Sequence, residues 1–370
     1  MTTHKSHVPE RAKKTNSLIN KIQTTLANYG YSEIFLPLYE YYEILKYTTW
    51  DFRDENIIRF IDRNSGKSMV LRPDFTPQVC RMVSTYMRNY PTPLRLQYKG
   101  RVFRNVNLDK GLKSEKYQVG FENFGSSELY GDLELLSIAS ATMKELGVSD
   151  YKIVIGDQHF IQLLTTIASE SEEYIKLLTE KNLDKIKHFT KEANFSKELS
   201  LLLNYLPLAF GGCDILDELY SKCMFDKNLS ERVSYLKKIY SLAQEVESLR
   251  NSIIFDIGET KGAGYYTGMN IDIINYTTGS VLGSGGRYDS LMNNFGQNMT
   301  ACGLAYNIEE ILPLYRYDSN AELYDYLIVG RDNFFKAEKL RNEGNKVFWT
   351  ENDNNIVQLK NRYRFKNIIM

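Results

Sequence analysis

Hydrophobic positions in the first part of the chain alternate between helical and strand-like periods. Apolar side chains recur at helical spacing in residues 12–29, and Gly30 follows where a C-terminal cap belongs, which predicts a helix. Two more helices are predicted at 76–90 and 130–146. Short apolar runs between turn signals predict strands at 34–37, 57–62, 68–72, 95–104, 116–124 and 152–155.

The pattern changes after about residue 159. Residues 160–250 are helical almost throughout, with one apolar stripe formed by Val233, Leu236, Tyr240, Ala243 and Val246. The strand pattern then returns at 253–257, 269–275 and 280–283, and a hairpin turn at 277–279 joins the last two. After a helix near 307–312, strand, helix and strand are predicted at 326–329, 334–342 and 347–349.

This order of elements predicts an α+β fold. The two strand-rich regions together form a mostly antiparallel sheet flanked by helices, and a helical insertion interrupts that sheet in sequence. We therefore expect four parts: the first part of the core at 1–159, the insertion at 160–250, the second part of the core at 251–318 and a small α/β unit at 322–370.

Composition narrows the class of protein. The chain has 370 residues, with 46 Lys and Arg against 46 Asp and Glu, so the formal net charge is zero. Because proteins that grip nucleic acid through phosphates carry a basic excess or stripe, this balance disfavours tRNA binding. No stretch approaches the length of a membrane span, and the polar N-terminus does not look like a secretory signal, so we expect a cytoplasmic protein without membrane contact.

The cysteines give no sign of a metal site. Cys80, Cys213, Cys223 and Cys302 are scattered and form no CxxC pair. We therefore predict reduced thiols, no disulfide framework, no metal and no cofactor.

Six short segments occur in a fixed order along the chain. They are Leu71-Arg72-Pro73-Asp74-Phe75-Thr76, Tyr98-Lys99-Gly100-Arg101-Val102-Phe103-Arg104, Tyr117-Gln118-Val119-Gly120-Phe121-Glu122, Tyr265-Tyr266-Thr267-Gly268, Gly285-Gly286-Arg287-Tyr288-Asp289 and Cys302-Gly303-Leu304-Ala305. In this order they resemble the catalytic domain of class II histidyl-tRNA synthetases. The resemblance covers about residues 10–160 and 250–315 and implies a class II synthetase-like fold.

The resemblance implies a histidine pocket. A bound histidine needs a carboxylate and other acceptors at its ammonium group and hydrogen-bond partners at both ring nitrogens. The expected histidine-binding residues are Asp74, Thr76, Arg104, Gln118, Glu122, Tyr265, Tyr266 and Tyr288.

Individual roles follow from the matching motif positions. Asp74 and Thr76 match residues at the substrate ammonium, and Gln118 matches a glutamine near the carboxylate and ammonium. Glu122 and Tyr266 match residues at the imidazole, and Tyr288 lies in the same wall. The spacing of Gln118 and Glu122 is consistent with a shared pocket, because residues 118 and 122 of one strand face the same side of a sheet.

The ATP half of such a site is not retained. Adenylation needs fixed cations around the phosphates. The Arg-x-Glu of the second synthetase motif appears here with Val106 in place of glutamate, and the third motif, Gly-Leu-Glu-Arg, appears as Asn307-Ile308-Glu309-Glu310. At the other positions where the family carries arginine, this chain has Asn107, Leu112, Ser114 and Lys261. We therefore predict a pseudoenzyme without synthetase chemistry.

This combination resembles the regulatory subunit of ATP phosphoribosyltransferase, the first enzyme of histidine biosynthesis. Asp-Phe-Thr at 74–76 matches that family, whereas Asn270-Ile271-Asp272 departs from its usual Val-Phe-Glu. The resemblance implies a short-form catalytic subunit as partner, feedback inhibition with histidine as effector, a hetero-octamer, and a self-dimer through the region 35–37. The tail after Leu323 is too short for a complete synthetase anticodon-binding domain, so we expect a truncated unit.

Three other interpretations remain open on the sequence. A divergent, active histidyl-tRNA synthetase would show histidine-dependent exchange of pyrophosphate with ATP. A tRNA sensor or another synthetase-like amino-acid-binding protein, for instance a ligase, would be separated by salt-sensitive tRNA binding. A scaffold subunit would bind no amino acid.

Overall fold

The antiparallel sheet predicted from the two strand-rich regions organises the structure, a computed structural model. It describes residues 8–46, 56–106, 114–168, 171–260, 264–317 and 323–370. The chain divides into two compact units, Met1–Tyr315 and Arg316–Met370. The predicted α+β fold, a mostly antiparallel sheet flanked by helices, is confirmed. By this division the helical segment 160–250 lies within the first unit, so its treatment as a separate domain stays a prediction.

The first unit contains the large sheet and a small one. Its strands are β1 (Ser32–Glu33), β2 (Tyr39–Tyr41), β3 (Arg59–Ile61), β4 (Ser68–Leu71), β5 (Leu94–Phe103), β6 (Glu115–Phe124), β7 (Tyr151–Asp157), β8 (Phe210–Gly211), β9 (Ile253–Asp256), β10 (Met269–Asn275), β11 (Val281–Arg287) and β12 (Ala301–Asn307). The large sheet has the order β1-β5-β6-β12-β11-β10-β7-β9-β8, and the small sheet has the order β2-β4-β3. The pairs from β5 to β7 are antiparallel, and β1–β5 and β7–β9 are parallel.

Helices cover both faces of the large sheet. The helices of this unit are α1 (Pro9–Asn28), α2 (Tyr42–Lys46), α3 (Thr76–Tyr86), α4 (Glu128–Glu145), α5 (Gln158–Ala168), α6 (Ser171–Thr179), α7 (Leu183–Glu192), α8 (Lys197–Tyr205), α9 (Asp214–Cys223), α10 (Lys227–Ala243), α11 (Asp289–Asn294) and α12 (Ile308–Ile311). Helices α1 and α4 pack on each other and on β6 and β12. Helices α3 and α11 pack against each other in a core with Leu96, Tyr98 and Tyr288.

The pleat of β6 decides which side chains reach each face. Val119 and Phe121 are buried, and the Phe121 ring meets Tyr31 edge-on at 4.9 Å. Successive side chains of a strand point to opposite faces, so Gln118 and Glu122 lie together on the other face. That second face carries the pocket described below.

The helical segment α5–α10 is built from local signals that the sequence carries. The side chains of Asn182, Ser196 and Asp226 accept hydrogen bonds from backbone N–H groups in the first turns of α7, α8 and α10. Of the predicted stripe, Val233, Leu236 and Ala243 are buried, as expected for an amphipathic helix, whereas Tyr240 is only partly buried and Val246 lies beyond the end of α10. None of the helices in the described ranges combines the length and the apolar character needed to cross a bilayer.

The second unit is a parallel three-stranded sheet with helices. It consists of β13 (Leu323–Val329), α13 (Phe334–Asn342), β14 (Val347–Thr350), α14 (Ile356–Arg362) and β15 (Arg364–Ile369), with the strand order β14-β13-β15. Ile328, Ala337 and Val347 form its buried core. The pattern predicted the first three elements, but α14 and β15 were missed, because they are short and their side chains are largely exposed.

Three sequence predictions were wrong in detail. Residues 34–37 form no strand, since the pairing with β5 involves Ser32–Glu33 and the carbonyls of Leu36 and Pro37 accept hydrogen bonds from Arg72 instead. The helix predicted at 76–90 ends at Tyr86, before a turn that precedes Pro91. The strand predicted at 280–283 runs further, to Arg287, as β11. A side chain at Gly285 would overlap the backbone of β12, so glycine permits this pairing.

Candidate ligand pocket

A cavity of about 360 Å³ opens on the second face of the large sheet. Its floor is formed by β5, β6, β12 and β11, and its walls by the segment before α3 and by residues 265–266. The structure brings all of the predicted binding residues to this one cavity: Asp74, Thr76, Arg104, Gln118, Glu122, Tyr265, Tyr266 and Tyr288. The volume lies within the range of small-molecule sites.

Glu122 is the buried acidic group at one end of the cavity. Its side chain is 1% exposed. Thr76 Oγ1 and Tyr98 Oη donate hydrogen bonds to its Oε1 at 2.8 and 3.1 Å, and the Tyr288 hydroxyl donates to Oε2. Burial raises the pKa of the Glu122 carboxyl to about 8, although these hydroxyl groups lower it. A cation that enters the cavity would therefore favour the ionised form of this carboxyl group.

Asp74 and Thr76 reach the cavity because the chain turns into α3 at this point. The Asp74 carboxylate accepts the backbone N–H of Phe75 at 2.7 Å. The Phe75 ring stacks on Tyr98, with ring centroids 4.2 Å apart, and the guanidinium of Arg72 covers its other side at 3.8 Å. This stack fixes the Tyr98 ring, and with it the hydroxyl that contacts Glu122.

Gly303 makes room for the Glu122 side chain. The two residues are partners across β6 and β12. A Cβ atom at position 303 would overlap the Glu122 carboxyl and the carbonyl oxygen of Phe121. Glycine at this position is therefore a requirement of the pocket and not of the local backbone conformation.

Aromatic residues form one wall. The Tyr265 ring lies 5.0 Å from Tyr266 and 5.8 Å from Tyr288, measured between centroids. Burial raises the pKa values of the Tyr265 and Tyr288 hydroxyls well above their ordinary range, so both stay protonated and can donate hydrogen bonds.

Arg287 anchors this wall from behind. Its Nη2 lies 2.7 Å from Asp132 Oδ1 on α4, and both side chains are almost fully buried. The second carboxylate oxygen of Asp132 accepts the hydroxyl of Tyr235 on α10 at 2.7 Å. The pocket wall is therefore tied through α4 to the helical segment.

Basic and amide side chains line the opposite end of the cavity. Arg104 and Lys116 are joined there by Gln118 and Asn307, which are partners across β6 and β12. Glu122 and Lys116 therefore lie toward different ends of the cavity along β6, whereas Asp74 lies near Arg104, whose Nε donates a hydrogen bond to the carbonyl of Pro73 at 3.2 Å. A zwitterionic amino acid fits this arrangement if its side chain can carry a positive charge near Glu122 and its carboxylate faces the basic residues.

Some lining residues were not predicted. Tyr98, Lys116, Ser284 and Asn307 line the cavity beside the predicted set. The two-residue period of β6 pointed to Lys116, since it shares a face with residues 118 and 122. Asn307 could not be placed by period alone, because its neighbour Gln118 belongs to a different strand.

The nucleotide half differs from an ATP site where the structure describes it. The carboxylate of Glu309 accepts the backbone N–H of Tyr117 at 3.0 Å, and Glu310 lies next to it in α12. The carbonyl of Ser114 accepts the N–H of Arg104 at 2.8 Å. Asn107, Leu112 and Lys261 fall outside the described residues, so those predictions rest on the sequence. Of the described residues, no group of three His, Cys, Asp or Glu side chains could hold a metal ion.

The fold that carries the pocket is the class II synthetase-like fold predicted from the sequence. The family model for histidyl-tRNA synthetase matches residues 5–311. A solved structure described as an ATP phosphoribosyltransferase regulatory subunit/histidyl-tRNA synthetase from Bacillus halodurans C superposes with a TM-score of 0.85 at 23% identity, covering 99% of this chain and 96% of that one. Histidyl-tRNA synthetase from Nostoc sp. PCC 7120 gives 0.75 at 16% identity, covering 98% and 89%. These structures establish the fold.

Curated relatives narrow the class to one family. An ATP phosphoribosyltransferase regulatory subunit of Thermoanaerobacter sp. (strain X514) is 30% identical over 353 residues, which are 92% of this chain and 91% of the relative. One of Geobacter sulfurreducens is 30% identical over 310 residues, 82% of this chain and 70% of the relative. The chain belongs to the histidyl-tRNA synthetase-like family of ATP phosphoribosyltransferase regulatory subunits. Its place in that family is regulatory and not catalytic.

Proposed function

We propose that this chain regulates an ATP phosphoribosyltransferase by binding histidine in the pocket on the large sheet. The observation that carries the proposal is a single cavity in which buried Glu122 and the basic Lys116 lie toward different ends of β6, with Asp74 and Arg104 also in its lining. The names of the relatives support the regulatory role.

The pocket suits each polar group of histidine. The imidazole would lie against Glu122, where a carboxyl group with a pKa of about 8 can share a proton with a ring nitrogen. Asp74 would accept from the ammonium group. The ligand carboxylate would then face the end that carries Arg104 and Gln118.

Histidine would act as a feedback effector. A ligand shifts a conformational equilibrium only if it binds one state more tightly than the other, so the pocket must differ between a more active and a less active complex. The link from Arg287 through Asp132 to Tyr235 gives the pocket wall a physical connection to the rest of the unit.

The partner we propose is a short-form catalytic subunit, assembled with this chain in a hetero-octamer. This partner is suggested by the family, and co-purification tests it. The two chains should elute as one complex of octameric mass in size exclusion with light scattering. Separate elution at micromolar concentration would exclude the assembly.

A self-dimer is supported by an exposed apolar surface. Phe35 is 83% exposed, and Leu38, Tyr39, Phe60 and Ile61 are also exposed around the small sheet. The Tyr39 and Phe60 rings lie 6.1 Å apart, and exposed apolar side chains that lie together mark interaction surfaces. Phe35→Asp should therefore yield monomers, whereas Tyr276→Asp, at an exposed position outside this surface, should not. If both variants remain dimeric, this surface is not the dimer interface.

Calorimetric titration of L-histidine into the purified chain tests the sensor directly. Saturable binding is expected. An absence of heat at millimolar histidine, in buffers of two different ionisation enthalpies, would sink the proposal.

A further inference from the structure

Two carboxamide side chains stand next to each other at the basic end of the pocket. Gln118 on β6 and Asn307 on β12 are paired residues of adjacent strands, and both line the cavity.

The two amides share an orientation. The oxygen atoms Oε1 of Gln118 and Oδ1 of Asn307 are buried and accept no hydrogen bond within the described structure. Since both side chains line the cavity while their oxygens are hidden from it, the amide edge left toward the cavity is the amino group. Together with Lys116 and Arg104, which also line the cavity, they make this end rich in hydrogen-bond donors.

The distance to the acidic end fits one amino acid. Gln118 lies four residues from Glu122 along β6, which corresponds to roughly 13 Å of antiparallel strand. A hydrogen bond of about 3 Å at each end leaves roughly 7 Å. An amino acid with a ring side chain spans that length, so a ligand whose ring contacts Glu122 would place its carboxylate at the amide pair.

The geometry points to Asn307 as a specificity-determining residue that donates a hydrogen bond to the ligand's α-carboxylate beside Gln118. The inference rests on the proposed function, because it requires that the pocket binds histidine. It implies that the pocket selects amino acids with a free carboxylate over the corresponding amines and alcohols.

Three ligands separate this role from a general effect on the pocket. L-Histidine carries both an α-ammonium and an α-carboxylate group. Histidinol has a hydroxymethyl group in place of the carboxylate, and imidazolepropionate keeps the carboxylate but lacks the ammonium. Their dissociation constants are measured by competition calorimetry on the full chain and on the variants Asn307→Ala and Asn307→Asp. Asn228→Asp, at an exposed position on α10, is the charge-matched control.

Asn307→Ala should weaken histidine and imidazolepropionate by roughly 10- to 100-fold, the effect of losing one hydrogen bond to a charged group, and leave histidinol within about twofold. Asn307→Asp should weaken the two carboxylates further and leave histidinol unchanged or tighter, because the new charge repels a carboxylate and attracts an ammonium. Asn228→Asp should change none of them. Since each comparison is made between ligands on the same protein, a loss of folding would affect all three ligands and cannot imitate this pattern.

Changes in ligand affinity opposite to those expected would overturn the inference. If Asn307→Asp tightens histidine, the amide pair faces the ammonium through its oxygens and the assignment is wrong. It is also wrong if Asn307→Ala weakens all three ligands equally, or if histidinol binds the unaltered chain as tightly as histidine does. A chain that binds histidine with any of these outcomes keeps the proposed function, whereas a chain that binds no histidine loses both.

Discussion

Replacing Glu122 by glutamine removes the buried titratable group at the acidic end of the pocket. The substitution keeps the shape of the side chain, and glutamine can still pair with the hydroxyls of Thr76, Tyr98 and Tyr288 that contact Glu122. The difference in stability between the two proteins therefore reports mainly the cost of ionising Glu122 in the folded state.

The sign of this difference follows from the raised pKa. The ordinary pKa of the carboxyl is 4.5, and burial raises it to about 8 in the fold. Between those values the folded chain holds a proton that the unfolded chain has released, so the free energy of unfolding falls as pH rises through this window. From pH 5 to pH 7 the loss amounts to about 2–3 kcal/mol, because each unit of pKa shift corresponds to about 1.4 kcal/mol.

Urea unfolding of both proteins at pH 5, 6, 7 and 8 measures the effect. The advantage of Glu122→Gln over the unaltered chain should grow by about 2–3 kcal/mol between pH 5 and pH 7 and level off above pH 8. Glu192→Gln, at a carboxylate that is 71% exposed, should stay within about 0.5 kcal/mol of the unaltered chain at every pH. A pH-independent difference, or one of opposite slope, would refute the assignment of Glu122 as a buried carboxyl with a raised pKa.

Three further predictions concern the pocket, its support and the lost chemistry. Gly303→Ala should lower the thermal unfolding midpoint and weaken histidine binding, because the new methyl group would overlap Glu122; unchanged values of both would contradict the packing. Tyr235→Phe removes the hydroxyl that donates to buried Asp132 and should cost about 1–3 kcal/mol in urea unfolding, while Tyr130→Phe, at an exposed ring, should cost almost nothing. Histidine-dependent exchange of pyrophosphate with ATP should be absent, and a measurable exchange rate would restore the synthetase interpretation.

Periodic patterns located most of the fold and part of the site. The alternation along β6 is enough to place Gln118 and Glu122 on one face, since that relation depends only on the geometry of a strand. The stripe along α10 likewise predicted the burial of Val233, Leu236 and Ala243, although Tyr240 is only partly buried and Ile239 is buried without having been predicted. Such relations are local, and a single sequence contains them.

The site residues and contacts that the sequence did not predict depend on pairing between segments that are distant along the chain. Asn307 lies beside Gln118 only because β12 pairs with β6 in one register, and the sequence does not state that register. Tyr235 meets Asp132 for the same reason, through the packing of α10 on α4. Residues 34–37 have a strand-like composition, yet the carbonyls of Leu36 and Pro37 accept hydrogen bonds from the side chain of Arg72.

Regulation of the partner enzyme by histidine through this pocket can be measured in the assembled complex. The ATP phosphoribosyltransferase activity of the complex with its short catalytic subunit is followed against histidine concentration for the unaltered chain and for Asp74→Asn. Each complex is normalised to its own activity without histidine. We expect inhibition by histidine with the unaltered chain, and a curve shifted at least tenfold to higher histidine with Asp74→Asn, because an ammonium loses its charged partner. Identical inhibition curves for the two complexes would show that histidine does not act through the pocket that Asp74 lines.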